Sequence, residues 1–363
     1  MPTGRVGWLR LAGALIASVI GAGFASGQEH LQYFVVFGAP GYAGLALSGA
    51  LMVLGGGLFL HTAQMHRTRS HRELLQAVGL GPAVAAMDFL LSAAMLAALS
   101  VMLAGGGALG TTLWSAHPLV GSLLLAAATA AIVALDLERM LDVNTLLTAI
   151  LVGLIAVVAL GVASQETAGE LSPPQATGLA PQGWVPHGWV WAALLYTSYN
   201  LTFSFPVFAA LGADITGPKD AWLAGVAGGL CLWLLGIGVF AAVAYVGRHG
   251  VPGELPMMAA AELLGRGYRA AYAVGVWLAL LTTAVADAFA LARRFAAWTG
   301  VPATRLGPAL VALAVPIAQL GFSHLVATAY PLVGYLGAGC LLATALHWGR
   351  RTLHGARGRR VPR

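Results

Sequence analysis

Ten long apolar runs, parted by short polar stretches, set the pattern of this chain: 8–38, 41–64, 82–112, 118–136, 142–164, 188–211, 219–247, 268–298, 306–321 and 324–348. A helix crosses a bilayer with about 20 mostly apolar residues, so each run predicts one span. The 165–187 stretch, with Gln165, Glu166, Glu170, Pro173, Pro174, Pro181 and Pro186, is the long polar loop in the middle. A second irregular stretch, 248–267, holds Pro252, Pro256 and an amphipathic piece at 257–264 expected to lie along a surface. Five runs precede the polar loop and five follow it, so the second set enters the membrane with opposite polarity. The expected architecture is an all-α polytopic membrane protein with a 5+5 inverted repeat. Its parts are a first five-helix repeat at 1–164, an extracytoplasmic linker at 165–187, a second, inverted repeat at 188–348 and a basic cytoplasmic tail at 349–363.

Two runs carry interruptions at matching places. The first holds Gly21-Ala22-Gly23-Phe24-Ala25-Ser26-Gly27-Gln28-Glu29 near its middle. At about 30 residues and about 1.5 Å per residue, this run outreaches a hydrocarbon core of about 30 Å. An unwound centre with a half-helix on each side accounts for both features. The sixth run holds Tyr196-Thr197-Ser198-Tyr199-Asn200-Leu201-Thr202-Phe203-Ser204-Phe205-Pro206. Pro206 lacks an N–H and disfavours the helical region for Phe205, while Ser198, Asn200, Thr202 and Ser204 can satisfy freed backbone groups. Both runs are therefore expected to break, at 21–27 and 198–205.

Composition agrees with the lipid as solvent. Hydrophobic residues make up 59% and charged residues 9%, against about 25% charged in soluble domains; mean hydropathy is +0.81. The net charge of +6 does not point to nucleic acid, because the arginines form short clusters between apolar runs. With the N-terminus inside, 16 of the 19 Lys and Arg fall on one side; only Arg248, Arg266 and Arg269 fall on the other. Both termini are thus expected in the cytoplasm of a bacterium, with the chain in its inner membrane. The first run is read as a retained helix rather than a cleaved leader. Cys231 and Cys340, far apart inside apolar runs, read as small packing residues. Gly225 and Gly229, and the glycines at 55–57 and 105–107, read as close helix contacts.

Gly21-Ala22-Gly23-Phe24 resembles the G-[SA]-G-[IV]-F signature in the first helix of amino acid–polyamine–organocation transporters, which share the leucine-transporter fold. The longer string from Gly21 to Glu29, with Tyr199-Asn200, resembles the YkvI-like bacterial membrane proteins more specifically. Phe24 followed by Ala-Ser-Gly-Gln-Glu departs from the amino acid carriers of that superfamily. The resemblance implies a cation-coupled secondary transporter working by alternating access on a small amino acid or related amine, and no enzyme or organic cofactor. A ligand-sensing membrane subunit of the same fold and a proton-coupled carrier are the alternatives.

Unwound helix ends offer N–H groups to anions and C=O groups to cations. The solute is therefore expected against Ala22, Gly23, Ala25, Ser26, Gly27 and Glu29 of the first span and Tyr199, Asn200 and Phe203 of the sixth. In the leucine-transporter fold, carbonyls of the first span meet a hydroxyl pair on the eighth. Here that implies a sodium ion among Val19, Ile20, Ala22, Thr282 and Thr283, with Asp287 sharing the face of Thr283. The alternative for the threonines is bonding back to their own helix, and Arg294 is the alternative partner of Asp287. Glu29 suits a solute ammonium, a coupling proton or a helix cap. Asp88 reads as one half of a gating salt bridge with a loop arginine, and His30, His61 and His66 as mouth or interface residues.

Overall fold

The computed structural model describes residues 6–135, 140–165, 181–250 and 253–358. Those residues fold into α1 (Trp8–Val19), α2 (Ala22–Ser26), α3 (Gln28–Tyr33), α4 (Ala39–His66), α5 (His71–Ala77), α6 (Val84–Trp114) and α7 (Pro118–Ala134). There follow α8 (Met140–Ala163), α9 (Trp189–Leu211), α10 (Pro218–His249), α11 (Pro256–Leu264), α12 (Arg266–Thr299), α13 (Ala303–Ala318) and α14 (Phe322–Gly358). Among the described residues the only β pairing is an isolated bridge, Val6 with Ile215. Four helices open on proline in their first turn, at Pro40, Pro118, Pro218 and Pro256. There the missing N–H costs nothing and the fixed φ suits the helix. Among the described residues five helices are long and apolar enough to cross a membrane: Ala39–His66, Val84–Trp114, Pro218–His249, Arg266–Thr299 and Phe322–Gly349. Trp8–Val19, Pro118–Ala134, Leu147–Ala163 and Ala303–Ala318 are shorter apolar helices. The first residues of the expected basic tail continue α14, and 359–363 lie outside the described residues.

Close backbone contacts hold the bundle together. On the facing sides of α4 and α10, a Cβ added at Gly225 would collide with the backbone of Gly57, and one at Gly229 with that of Val53. Gly106 of α6 abuts Gly121 of α7 in the same way. These glycines let the axes approach where any side chain would wedge them apart. Cys231 is a free thiol; the side chain of Cys340 lies outside the description.

The two expected interruptions come out differently. The first run divides into α1, α2 and α3, with joints at Ile20–Gly21 and at Gly27. The sixth does not divide: α9 is helical through 198–205, with Pro206 inside it. Three of the four polar side chains expected to serve an unwound segment bond back instead, while Ser198 donates across to the Gly334 carbonyl of α14 at 2.6 Å. Thr197 donates to the Ala193 carbonyl, Asn200 to Tyr196, Thr202 to Ser198 and Ser204 to Asn200, over 2.7–3.0 Å. Those bonds brace the turns around the proline, and 198–205 lacks a glycine that would lower the cost of unwinding.

Two other expectations shift. The 257–264 piece, within α11, is wedged into the bundle rather than laid on a surface. Met257, Met258, Ala260 and Ala261 are buried, and the helix packs on α2, α8, α10 and α12. Most of the polar linker, 166–180, lies outside the described residues. Its end folds over α3: Gln182 Oε1 accepts from Gln32 Nε2 (3.2 Å), and the Gln182 N–H donates to Gln32 Oε1 (3.3 Å). The Trp184 N–H bonds to the Ala327 carbonyl of α14 at 2.9 Å.

Candidate functional site

The broken first run builds the site. After Val19 the chain leaves the helix at Ile20 (ψ 83°), and the Gly21 N–H turns back to the Val19 carbonyl at 2.9 Å. Five residues of helix follow, and Gly27 ends them at φ +80°, a conformation that favours glycine. A side chain there would also strike Val243 and Met257. The resulting joints turn α3 across the core. All six of its residues, Gln28, Glu29, His30, Leu31, Gln32 and Tyr33, are buried in protein although four of them are polar.

Glu29 is the centre. Its side chain reaches back across the second joint, so that a Cβ on Gly23 would fall on its carboxylate. It stands in the first turn of α3, where a carboxylate also suits the helix dipole. Its field reaches the tyrosines Tyr33, Tyr196, Tyr199 and Tyr330. Those rings pack on one another, with centroids 5.5 Å apart for Tyr33–Tyr199, 5.4 Å for Tyr196–Tyr199 and 5.0 Å for Tyr199–Tyr330. Glu29 Oε2 and the hydroxyls of Tyr33 and Tyr199 are sealed from solvent and complete no hydrogen bond. Such orphans are uncommon in folded proteins and call for an explanation.

The other expected residues divide. Tyr199 and Glu29 come together, Gly23 lies under the carboxylate, and Phe203 stacks near Tyr199 and Tyr330 at 6.3 and 5.9 Å. Ser26 instead serves its own chain, donating to the Gly23 carbonyl (2.9 Å) and accepting from the Gln28 N–H (3.2 Å). The Ala25 carbonyl accepts the Tyr272 hydroxyl at 2.5 Å. Asn200 is engaged with the backbone of α9, and Ala22 is buried in α2. Tyr33 and Tyr330 were not expected. Tyr33 stands four residues after Glu29 on one helix face, a signal within the sequence; Tyr330 has none.

On α12, which packs against α2, Thr282 donates back to the carbonyls of Leu278 and Ala279 at 2.9 and 3.2 Å. Such a hydroxyl still presents lone pairs. Asp287 Oδ2 is sealed and without a hydrogen-bond partner, and the field of Asp287 also reaches Tyr330. Oxygen donors of this kind, two neutral hydroxyls and one carboxylate, suit a hard cation.

Arg294 does not pair with Asp287. It reaches Asp88 of α6, its guanidinium 2.9 Å from both Oδ1 and the backbone carbonyl. His71 Nε2 and Arg72 of α5 complete the cluster, each 2.6 Å from the carboxylate. The expected arginine between the spans is thus Arg72, on the short α5, joined by its neighbour His71 and by Arg294 of α12. This cluster lies at the end of α4 opposite to α3, about 42 Å along a 28-residue helix. The core carboxylates therefore sit between two seals, Gln32–Gln182 at one end and Asp88 at the other. Asp88→Ala leaves the half-buried Arg294 without its carboxylate, and its expected cost is about 3–5 kcal/mol. Arg72→Ala, at a side chain 56% exposed, is expected to cost about 0–1 kcal/mol. Thermal unfolding of the purified protein in detergent checks both.

No family model matches the chain. It is similar to two proteins of Bacillus subtilis (strain 168). The uncharacterized membrane protein YkvI is 22% identical over 333 residues, 90% of this chain and 92% of that one. The uncharacterized protein YyaD is 25% identical over 343 residues, 94% of this chain and 96% of that one. Among solved structures, MhsT in complex with L-phenylalanine superposes with a TM-score of 0.60 at 18% identity, covering 94% of this chain and 90% of that one. A Na+-coupled sialic acid symporter in a substrate-bound outward-open state gives 0.55 at 14% identity, covering 89% and 73%. The chain is thus a multi-pass membrane protein similar in sequence to YkvI and YyaD, with the fold of MhsT.

Proposed function

We propose that the protein is a cation-coupled secondary transporter that carries a small amino acid or related amine by alternating access, with sodium as the coupling ion. One observation carries this reading. A buried Glu29 carboxyl, its Oε2 without a completed hydrogen bond, and the unpartnered hydroxyls of Tyr33 and Tyr199 gather at a helix break, between two polar seals. A carrier needs such a centre, closed to both sides and completed by its cargo. Solute is held at Glu29, Gly23, Tyr199 and Phe203, with Ala22, Ala25, Ser26, Gly27 and Asn200 shaping the surrounding backbone. Sodium is held by the carbonyls of Val19, Ile20 and Ala22 with Thr282, Thr283 and Asp287. The halves 1–164 and 188–348 act as inverted repeats joined by the 165–187 linker. Both termini and the basic tail lie in the cytoplasm, on the inner face of the bacterial inner membrane. The solute-bound MhsT and the Na+-coupled symporter with the same fold support the reading.

The unbroken α9 favours a second reading, a ligand-sensing subunit without net transport, since a carrier of this fold is expected to break both central helices. Counterflow separates the two. Proteoliposomes loaded with a pool of unlabelled amino acids and amines, in sodium buffer, are expected to take up labelled members of that pool transiently. Binding to the purified protein without counterflow would establish the sensor.

A further inference from the structure

We infer that the solute is an organic cation without a carboxylate, an amine rather than an amino acid. The inference rests on the reading of the Glu29 cluster as the solute site. An amino acid needs two complementary partners, one for its ammonium and one for its carboxylate. The ammonium partner is present: a buried carboxyl whose Oε2 has no hydrogen-bond partner, with Tyr33, Tyr196, Tyr199 and Tyr330 gathered about it. Tyrosine faces attract a cation through the ring quadrupole, and clustered aromatic rings are the usual receptacle for ammonium groups. The carboxylate partner is blocked. The backbone of α2 at Gly23 is the place where the unwound span would meet an anion, and the Glu29 carboxylate already lies against it. A solute carboxylate set there would have to displace the Glu29 carboxyl from the same backbone. The hydroxyl of Ser26 and the amide of Asn200, which would otherwise serve an anion, bond to their own backbones.

Matched pairs of probes test the assignment on the purified full-length protein: phenethylamine against L-phenylalanine, ethylamine against L-alanine, and choline as a cation without N–H groups. Amines are expected to raise the unfolding temperature and to bind at least about tenfold tighter than their parent amino acids. Stabilisation by amino acids with inert amines overturns the inference and leaves the carrier reading standing. Amine binding without counterflow overturns the carrier reading and leaves the cation site standing. If no probe stabilises the protein, the inference is overturned as well. Glu29→Gln is expected to abolish amine binding. The Tyr199 pair supplies a measure independent of the folding of that variant. Tyr199→Phe keeps the ring and loses only the hydroxyl, so it should weaken binding several-fold less than Tyr199→Leu, which should lose about tenfold or more. Equal affinity in the phenylalanine and leucine variants overturns the cage.

Discussion

Replacing Gly23 with alanine is expected to weaken solute binding by about 10- to 150-fold, the equivalent of about 1.4–3 kcal/mol, while leaving the protein folded. Two effects of opposite sign meet at this position. Inside a helix, alanine is favoured over glycine by about 1 kcal/mol, which helps α2. Against that, the new methyl group would lie on the Glu29 carboxylate. The atoms it meets belong to the end of a flexible side chain, so the carboxylate moves and the backbone stays. Stability therefore changes little, and the loss falls on whatever the carboxylate was positioned to hold. Gly21 is the internal control. Its backbone is extended (φ −106°), and a Cβ there would meet nothing within 4 Å. Gly21→Ala should accordingly bind solute much as wild type does. Titration of both variants with the preferred probe, alongside their unfolding temperatures, checks the contrast. Equal affinities in the two variants would remove Glu29 from the site, and with it the structural basis of the proposed solute.

Much of this architecture is legible along the chain, because a lipid solvent writes its demands as long apolar runs. The joint at Ile20–Gly21 is legible too, since glycines and polar residues gather at the middle of a run too long to cross once. The second joint is harder to read. Gly27 could as well have permitted close helix packing, and its positive φ depends on how α3 is drawn across the core. The sixth run misleads for a specific reason. Ser198, Asn200, Thr202 and Ser204 can either serve an unwound strand or bond to carbonyls one turn back, and sequence does not say which. Packing chooses the second for Asn200, Thr202 and Ser204, turns Ser198 to the Gly334 carbonyl of α14, and leaves α9 helical around Pro206. Asp88 illustrates a third kind of limit. Its partner Arg72 is visible as a loop arginine, but Arg294 stands 206 residues away. Near Asp287 in sequence, Arg294 suggests a local pairing that the fold does not make. Glu29 and Tyr33 share a helix face and could be paired from sequence. Tyr199 and Tyr330 join them only through tertiary structure, so the aromatic character of the site emerges with the fold.

The cation site yields the other large effect. Asp287→Asn is expected to abolish the dependence of solute binding on sodium, with a loss of about tenfold or more at saturating sodium in the wild-type reference condition. The argument begins with cost. A carboxylate oxygen sealed inside a membrane protein without a partner is expensive to keep ionised, and Asp287 Oδ2 is such an oxygen. Arg294, the expected alternative partner, is committed to Asp88. Either a proton or a mobile cation must then complete Asp287, and the hydroxyls of Thr282 and Thr283 supply further oxygen donors on the same helix. Thr282 donates its hydrogen to backbone carbonyls of its own helix, which turns lone pairs rather than hydrogen outward and leaves it able to ligate. Thr282→Ala with Thr283→Ala should therefore weaken sodium binding less than Asp287→Asn, because neutral ligands contribute less than the single charge. Linkage makes the test strict. If sodium holds the joint at Ile20–Gly21 in the shape that binds solute, sodium must tighten solute by the same factor that solute tightens sodium. Isothermal titration of each ligand with and without the other measures both factors in wild type. The two should agree, and both should fall to one in Asp287→Asn. Solute binding that ignores sodium but changes steeply with pH would make Asp287 or Glu29 a proton carrier instead, and the same variants would then show which of the two it is.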